Sequence, residues 1–259
     1  MKYLSRFLLL LTVTVLFMLP YRAFAFFGAE VAVGEWWQSP SGTIAYKPVT
    51  SIDDIDLKND LKYDTKARPY FRAKVELPVV LPNVYLQYTP MSFEGTGSKD
   101  VNFHYGGTTF QANVPTQSKV KLDHTDLALY YPIPLLKTAT LGKLNAELGL
   151  NVRQIKFEGS ISQSTAGLSA SKDLTIYVPM IYAGVQIKPV SLFSLEAEIR
   201  GIAYGSNHYY DYLGRLKVNP IPVVFIAGGY RAEDLKIDAS DVKAGIKFSG
   251  PFIEAGVSF

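Results

Sequence analysis

Leu144-Asn-Ala-Glu-Leu-Gly-Leu-Asn-Val-Arg153 decides the fold. Successive side chains of a strand point to opposite faces. One face of this stretch is therefore Leu144, Ala146, Leu148, Leu150 and Val152. The other is Asn145, Glu147, Gly149, Asn151 and Arg153. The same period of two runs through Phe71-Arg-Ala-Lys-Val-Glu-Leu77, where Arg72, Lys74 and Glu76 share a face. It returns in Phe193, Leu195, Ala197 and Ile199 against Ser194, Glu196, Glu198 and Arg200, and again in Tyr212, Gly214, Leu216 and Val218 against Asp211, Leu213, Arg215 and Lys217.

Alternation alone does not separate a soluble β-sandwich from its inside-out counterpart, a membrane barrel. Four further features favour the membrane. Most alternating segments reach about ten residues, the length a tilted spanning strand needs. Aromatic residues gather near strand ends, as in Tyr70-Phe71, Tyr130-Tyr131 and Tyr209-Tyr210-Asp211-Tyr212, which suits an interfacial girdle. Short and long connections alternate. The chain closes on the alternating Ile253, Ala255, Val257 and Phe259, and a terminal aromatic on an amphipathic last strand resembles the signal read by the outer-membrane assembly machinery.

The expected fold is all-β: a single transmembrane antiparallel up-and-down β-barrel of about ten strands. The strands fall near 27–38, 69–77, 84–93, 119–131, 142–158, 172–187, 192–204, 208–218, 222–236 and 240–259. The turns at 78–83, 133–141, 189–191 and 219–221 are placed in the periplasm. Segments 39–68, 94–118 and 159–171, with the short connections 205–207 and 237–239, are placed outside. In the last strand the apolar positions are even up to Phe248 and odd from Ile253. A bulge at Gly250-Pro251 would change the register by one; two separate strands are the alternative.

The N-terminus sets the compartment. Lys2 and Arg6 precede an apolar run from Phe7 to Leu19, and Ala23-Phe24-Ala25 follows. This is the pattern of a secretory signal peptide, residues 1–25, leaving 26–259 as the barrel. The run is shorter than the roughly 20 residues of a spanning helix. Lys2, Arg6 and Arg22 account for the whole formal charge of +3. The mature chain is near neutral, which removes the argument for a nucleic-acid partner. The absence of cysteine excludes disulfides, thiol catalysis and thiolate metal sites.

Several residues invite chemistry. The charged inward face comprises Arg72, Lys74, Glu76, Glu147, Arg153, Glu196, Glu198, Arg200, Asp211, Arg215 and Lys217. Ten strands enclose a narrow lumen, and charges of both signs there favour cross-lumen ion pairs over an ion-selective pore. His124 and Asp126 share the inward face of 119–131, where Leu127, Leu129 and Tyr131 would face lipid. They form a weak polar pair, readable as an oriented base or as a hydrogen-bonded lumen; His208 is expected near Asp211. An omptin-like arrangement of paired acids with Asp-x-His is absent, and no Ser stands in a nucleophile context. Asp53, Asp54, Asp56 and Asp60 supply oxygens for Ca²⁺, but EF-hand spacing is missing, so a solvated outer loop is the simpler reading. Gly106-Gly107 lacks phosphate-loop context and reads as a hairpin tip. Trp36-Trp37 could stack a sugar or a lipid, but one or both are expected to anchor the wall at an interface.

Glu30-Val-Ala-Val-Gly-Glu-Trp36, Pro40-Ser-Gly-Thr-Ile-Ala-Tyr46, Leu57-Lys-Asn-Asp-Leu61, Leu86-Gln-Tyr-Thr-Pro-Met-Ser-Phe93, Tyr105-Gly-Gly-Thr-Thr-Phe110 and Ser240-Asp-Val-Lys-Ala-Gly-Ile-Lys-Phe-Ser-Gly-Pro-Phe252 resemble a family of bacterial outer-membrane β-barrel proteins with a Gly-Gly pair in a long loop. The resemblance implies fold and location, and no active site or cofactor. The expected function is a barrel without enzyme activity, structural or a narrow passive channel, set in outer-membrane lipid. A binding or adhesion barrel acting through loops 39–68 and 94–118 is the first alternative, and an omptin-like hydrolase the second.

Overall fold

The computed structural model describes residues 28–78, 80–239 and 241–259. The expected signal peptide, its cleavage point and Ser240 lie outside them. In chain order the strands are β1 (Gly28–Tyr46), β2 (Ile55–Asp56), β3 (Lys66–Glu76), β4 (Asn83–Thr89), β5 (Ser92–Gly97), β6 (Phe103–Tyr105), β7 (Thr108–Phe110), β8 (Thr116–Pro132), β9 (Leu144–Gln163), β10 (Leu168–Val190), β11 (Phe193–Tyr204), β12 (Asn207–Ile221), β13 (Val224–Asp238) and β14 (Val242–Ser258). A short helix α1 (Leu136–Ala139) lies between β8 and β9.

Ten of these positions form the wall. β4 and β5 share one of them, because both pair with β8 in the same register on either side of Pro90, which has no N–H to donate. Each wall strand pairs antiparallel with its neighbours, and β14 pairs with β1 from Glu30↔Ser258 to Tyr46↔Val242. The sheet thus closes on itself, as a membrane-spanning sheet must to satisfy its backbone. Both ends of the wall, Gly28 and Ser258, lie at the end of the 190–193 and 221–224 turns. The loops after β1, β5, β9, β11 and β13 lie at the other end, the one expected to face outside.

The expected bulge at Gly250-Pro251 is not there. β14 keeps one register against β13 from Val224↔Val257 to Asp238↔Lys243, with no shift. Its even residues stay inside throughout: Ala244, Ile246, Phe248, Phe252 and Glu254 are all buried. The strand does not flip; its surroundings do. In the lower part Ile253, Ala255 and Val257 face outward and Glu254 faces the lumen. In the upper part Lys243, Lys247 and Ser249 face outward and apolar residues face in. β8 and β9 change in the same way. Leu127, Leu129, Leu148, Leu150 and Val152 are outward and exposed below, whereas Lys119, Lys121, Lys156 and Glu158 take the outward positions above, over inward Val120, Leu122, Ile155 and Ile161. The wall is inside-out in the lipid and then continues beyond it as an ordinary soluble β-structure with an apolar core.

This outward extension corrects the loop boundaries. β1 runs on to Tyr46 inside the segment expected to be the loop 39–68. The segment 159–171 is a hairpin closed by a turn of 3-10 helix at Ser164–Ala166. Within 94–118, β6 and β7 pair as a hairpin whose tip is Gly106-Gly107, both in the left-handed region with φ of 63° and 85°. Such a two-residue turn needs positive φ at both positions, which glycine adopts without strain. The hairpin and residues 47–65 fold over the barrel mouth. Leu57, Leu61, Tyr63, Phe103 and Phe110 are buried there with Phe93, Ile246 and Phe248.

The aromatic pairs read as a girdle divide between the two faces, since neighbours on a strand point opposite ways. Tyr70, Tyr130 and Tyr209 are buried inside; Phe71, Tyr131 and Tyr212 face out. Trp36 is also inside and fully buried, its Nε1 donating to the Gly250 carbonyl at 3.2 Å. It is therefore not an interfacial anchor.

The outward belt makes a direct prediction. Leu150 is 70% exposed and stands beside outward Leu129 and Ile181. Leu150→Arg destabilises the vesicle-embedded barrel by about 2–4 kcal/mol, the cost of a cation on a lipid face. Ser160→Arg, outward but above the belt, changes stability by less than about 0.5 kcal/mol. Denaturant unfolding of the two variants in vesicles checks this, and equal effects would place the belt outside the membrane.

Candidate functional site

The lumen holds seven basic and eight acidic side chains in two layers. In the inner layer Arg72 grips Glu254 with two bonds, Nε to Oε2 at 2.9 Å and Nη2 to Oε1 at 2.7 Å, and reaches Glu30 at 2.5 Å. Tyr70 donates to the same Glu254 at 2.8 Å. Arg215 bonds Glu196 at 2.6 Å and Glu198 at 2.8 Å. Lys217 pairs with Glu30. Lys74 lies 3.2 Å from Glu198 and 3.3 Å from Glu147, over the rings of Tyr85, Tyr130 and Tyr182.

In the outer layer Arg153 holds Asp126 in a two-bond fork at 2.8 and 2.9 Å and also pairs with Asp211. Arg231 forks onto Asp211 at 3.0 and 2.8 Å, bonds Glu233 at 2.8 Å and stacks 4.7 Å from the Trp36 ring centre. Arg200 joins the layers, 3.5 Å from Asp211 and 3.3 Å from Glu198. Planar guanidinium forks suit such two-bond contacts.

Strand register does the positioning. Asp126↔Arg153, Glu196↔Arg215 and Arg200↔Asp211 are direct cross-strand neighbours. Asp211↔Glu233 is a like-charge pair across β12 and β13, tolerated because Arg153 and Arg231 sit between them. Of the charged residues singled out in sequence, Glu76 alone lies apart: it is exposed at the inner mouth. There it lines a polar vestibule of about 140 Å³ with Lys74, Glu147 and Glu196. Glu30, Arg231, Glu233 and Glu254 also belong to the network, beyond the charges expected from sequence. Their alternation was available: Glu254 sits between outward Ile253 and Ala255, and Arg231 and Glu233 flank Ala232.

His124 and Asp126 are both inside and buried, but they do not form an accessible acid–base pair. Their closest approach is 4.0 Å, and Asp126 is occupied by Arg153. The His124 Nδ1 contacts the Leu122 carbonyl at 3.1 Å, while Nε2 lies 3.3 Å from Glu233. His208 is on the opposite face from Asp211; it meets Asp234 at 3.5 Å and stacks on Tyr210. The acidic loop turns the carboxylates of Asp53, Asp56 and Asp60 onto backbone amides, its own and that of His104 in β6. Asp53 accepts from the amides of Val49, Thr50 and His104 at 2.7–2.9 Å, and Asp56 from those of Lys58 and Asn59. Burial alone would raise the Asp53 carboxyl; the amides of Thr50, His104 and Val49 outweigh it and hold the group at about 2. Among the described residues no cluster of three or more His, Asp or Glu is arranged to hold a metal.

A closed ten-stranded sheet, an apolar outward belt and a polar, ion-paired interior define this chain as a transmembrane β-barrel, with the fold of the bacterial outer-membrane barrels. No protein-family model and no curated protein sequence matches the chain. Among solved structures it is similar to the outer membrane protease OmpT from Escherichia coli, at 11% identity and a TM-score of 0.49 over 91% of this chain and 96% of that one. It is also similar to Ail, the attachment invasion locus protein of Yersinia pestis, at 13% identity and 0.35 over 90% and 99%, and to the translocator domain of the autotransporter NalP from Neisseria meningitidis, at 10% and 0.38 over 89% and 88%.

Proposed function

We propose that the protein is an outer-membrane barrel without enzyme activity, structural in kind, whose lumen is closed by its own ion pairs. The observation that carries this reading is the double layer of buried, mutually paired charges under an apolar cap. A solute would have to part several ion pairs at once, and each buried charge left unpaired costs several kcal/mol. Charges of a single sign would have supported selective conduction; alternating signs that neutralise each other support a seal. The basic start, short apolar run and Ala-x-Ala of residues 1–25 support export, and the amphipathic last strand ending at Phe259 supports delivery by the outer-membrane assembly machinery, with outer-membrane lipid as the surrounding solvent.

The folded outer cap favours a second reading, a binding or adhesion barrel. Residues 47–65 and the β6–β7 hairpin present a formed surface to the exterior, tied by the Gly106 amide to the Tyr46 carbonyl at 3.0 Å. The hydrolase reading has less support, because His124 and the acids beside it lie beneath that cap and are engaged by arginines.

Single-channel recording of the refolded, signal-free chain in a planar bilayer tests the seal. Silence is expected for the natural sequence, and brief irregular openings for Arg200→Ala, which removes the link between the two layers. Steady openings of the unaltered barrel, changed in size by Arg200→Ala, would make it a narrow passive channel.

A further inference from the structure

Neighbouring wall strands part in two places near the outer end. Between β3 and β5 the gap is filled by the chain itself. The Leu61 and Asp60 carbonyls press so close to Gly95 and Gly97 that a Cβ would meet them at 2.1 and 1.8 Å, and Arg68 bridges to the Ser92 carbonyl at 2.9 Å. Between β10 and β11 no segment among the described residues plays that part. Pairing there ends at Ile181↔Gly201, yet β10 continues to Leu168, hydrogen-bonded along its length only to β9. Ile176 and Tyr204 share the inward parity of buried Met180 and Arg200, yet they are 39% and 85% exposed.

Behind this gap lies a chamber of about 470 Å³, lined by Leu122, Ile155, Phe157, Val178, Ala244 and Ile246 among other apolar side chains. Its size falls in the range of small-ligand pockets, about 300–1,000 Å³, whereas well-packed interiors leave few voids larger than a water molecule. Tyr209 separates it from the ion pairs: the ring lines the chamber while the hydroxyl donates to Glu233 at 2.7 Å. The free edge of β10 belongs at the interface, since unpaired backbone is not stable in hydrocarbon. The outward residues agree, changing from Ile181 and Tyr177 to Thr175, Asp173 and Ser171.

We propose that this chamber binds a hydrocarbon chain, admitted sideways through the gap between upper β10 and the β11–β12 hairpin. The surface that the lining turns into the chamber is almost wholly apolar, although Lys172, Asn207, His208 and Lys236 also border it, so the occupant's buried part is apolar. The gap opens toward the membrane surface and the loops cover the axial exit, so the chain enters from the side. This goes beyond the sealed-lumen reading and does not depend on it, because the chamber stands outside the plug.

The chain belongs either to a membrane lipid or to a free amphiphile, and one measurement distinguishes them. The refolded mature protein is incubated with palmitate or with dipalmitoyl phosphatidylethanolamine and its bound masses are read by native mass spectrometry. A saturable one-to-one adduct is expected, of the fatty-acid mass or the phospholipid mass according to source. Ala244→Trp and Val178→Trp fill the chamber and weaken that adduct at least tenfold, while Ile253→Trp, on the outward belt, retains it. Two filling variants guard against one failing to fold, and retained resistance to unfolding in detergent at room temperature shows which have folded. No saturable adduct with either compound, or equal adducts in the filled variants and the natural sequence, would overturn the assignment.

Discussion

Arg153→Ala lowers the stability of the refolded barrel by about 3–5 kcal/mol, the range for removing one partner from a buried charge network. The side chain is fully buried and is the shared cation of Asp126, Asp211 and Glu233, the last at 3.4 Å. Its loss leaves Asp126 with the Asn151 amide, at 2.7 Å, His124 at 4.0 Å and the charge of the more distant Arg200. It also leaves Arg231, with Arg200 at 3.5 Å from Asp211, to offset the Asp211–Glu233 pair. Adding Asp126→Asn to Arg153→Ala restores part of the loss, because neighbours in one network are not additive. Denaturant midpoints of the two single variants and the double variant measure the coupling. Strict additivity would mean that the fork between Asp126 and Arg153 contributes nothing, and the plug would then be no more than polar filling.

Phe93→Ala is expected to cost about 3–5 kcal/mol, the usual loss for deleting a buried aromatic ring. Phe93 is 1% exposed and lies between Tyr63 and Phe248, with ring centres at 6.2 and 5.3 Å. Tyr63 comes from the loop after β1, and Phe248 from the last strand, so this ring fastens the cap to the wall. Limited proteolysis is the direct readout: residues 47–65 of the variant are cut while the membrane part stays resistant. Phe93→Leu, which keeps most of the volume, leaves the cap largely protected. Equal resistance of Phe93→Ala and the natural sequence would show that the cap does not depend on this core.

Most of the wall was legible because a pattern of period two survives in single strands. Each of the ten expected segments lies on a wall strand, since alternation such as Leu148-Gly-Leu-Asn-Val152 depends only on one side meeting lipid and the other meeting the lumen. Boundaries were less legible. Residues 39–46, 159–163 and 168–171 were expected to be loop, yet they continue β1, β9 and β10. Above the membrane, polar residues such as Ser160 and Ser171 belong on the outside of a strand, where they resemble loop composition. The same change of solvent explains the last strand, where even apolar positions followed by odd ones imitate a bulge although the register never shifts.

The candidate site was legible by face but not by partnership. Arg72, Arg153 and Arg215 are inward by parity alone, but which acid each one grips depends on strand stagger around a closed sheet. Arg72 meets Glu254, 182 residues away in sequence. Trp36 was misplaced because an aromatic beside Trp37 fits either an interface or an interior, and only closure of β1 on β14 puts it under Arg231.

By itself, then, the sequence determined the class of structure: alternation at spanning length makes every strand two-faced, and the physical chemistry of lipid leaves closure as the only way to satisfy such a sheet. The tertiary structure decided which charges neutralise one another, that the upper wall turns its apolar face inward, and that one gap is filled by the chain while another opens on an apolar chamber. Those outcomes depend on distances between strands remote in sequence, which no single strand's pattern contains.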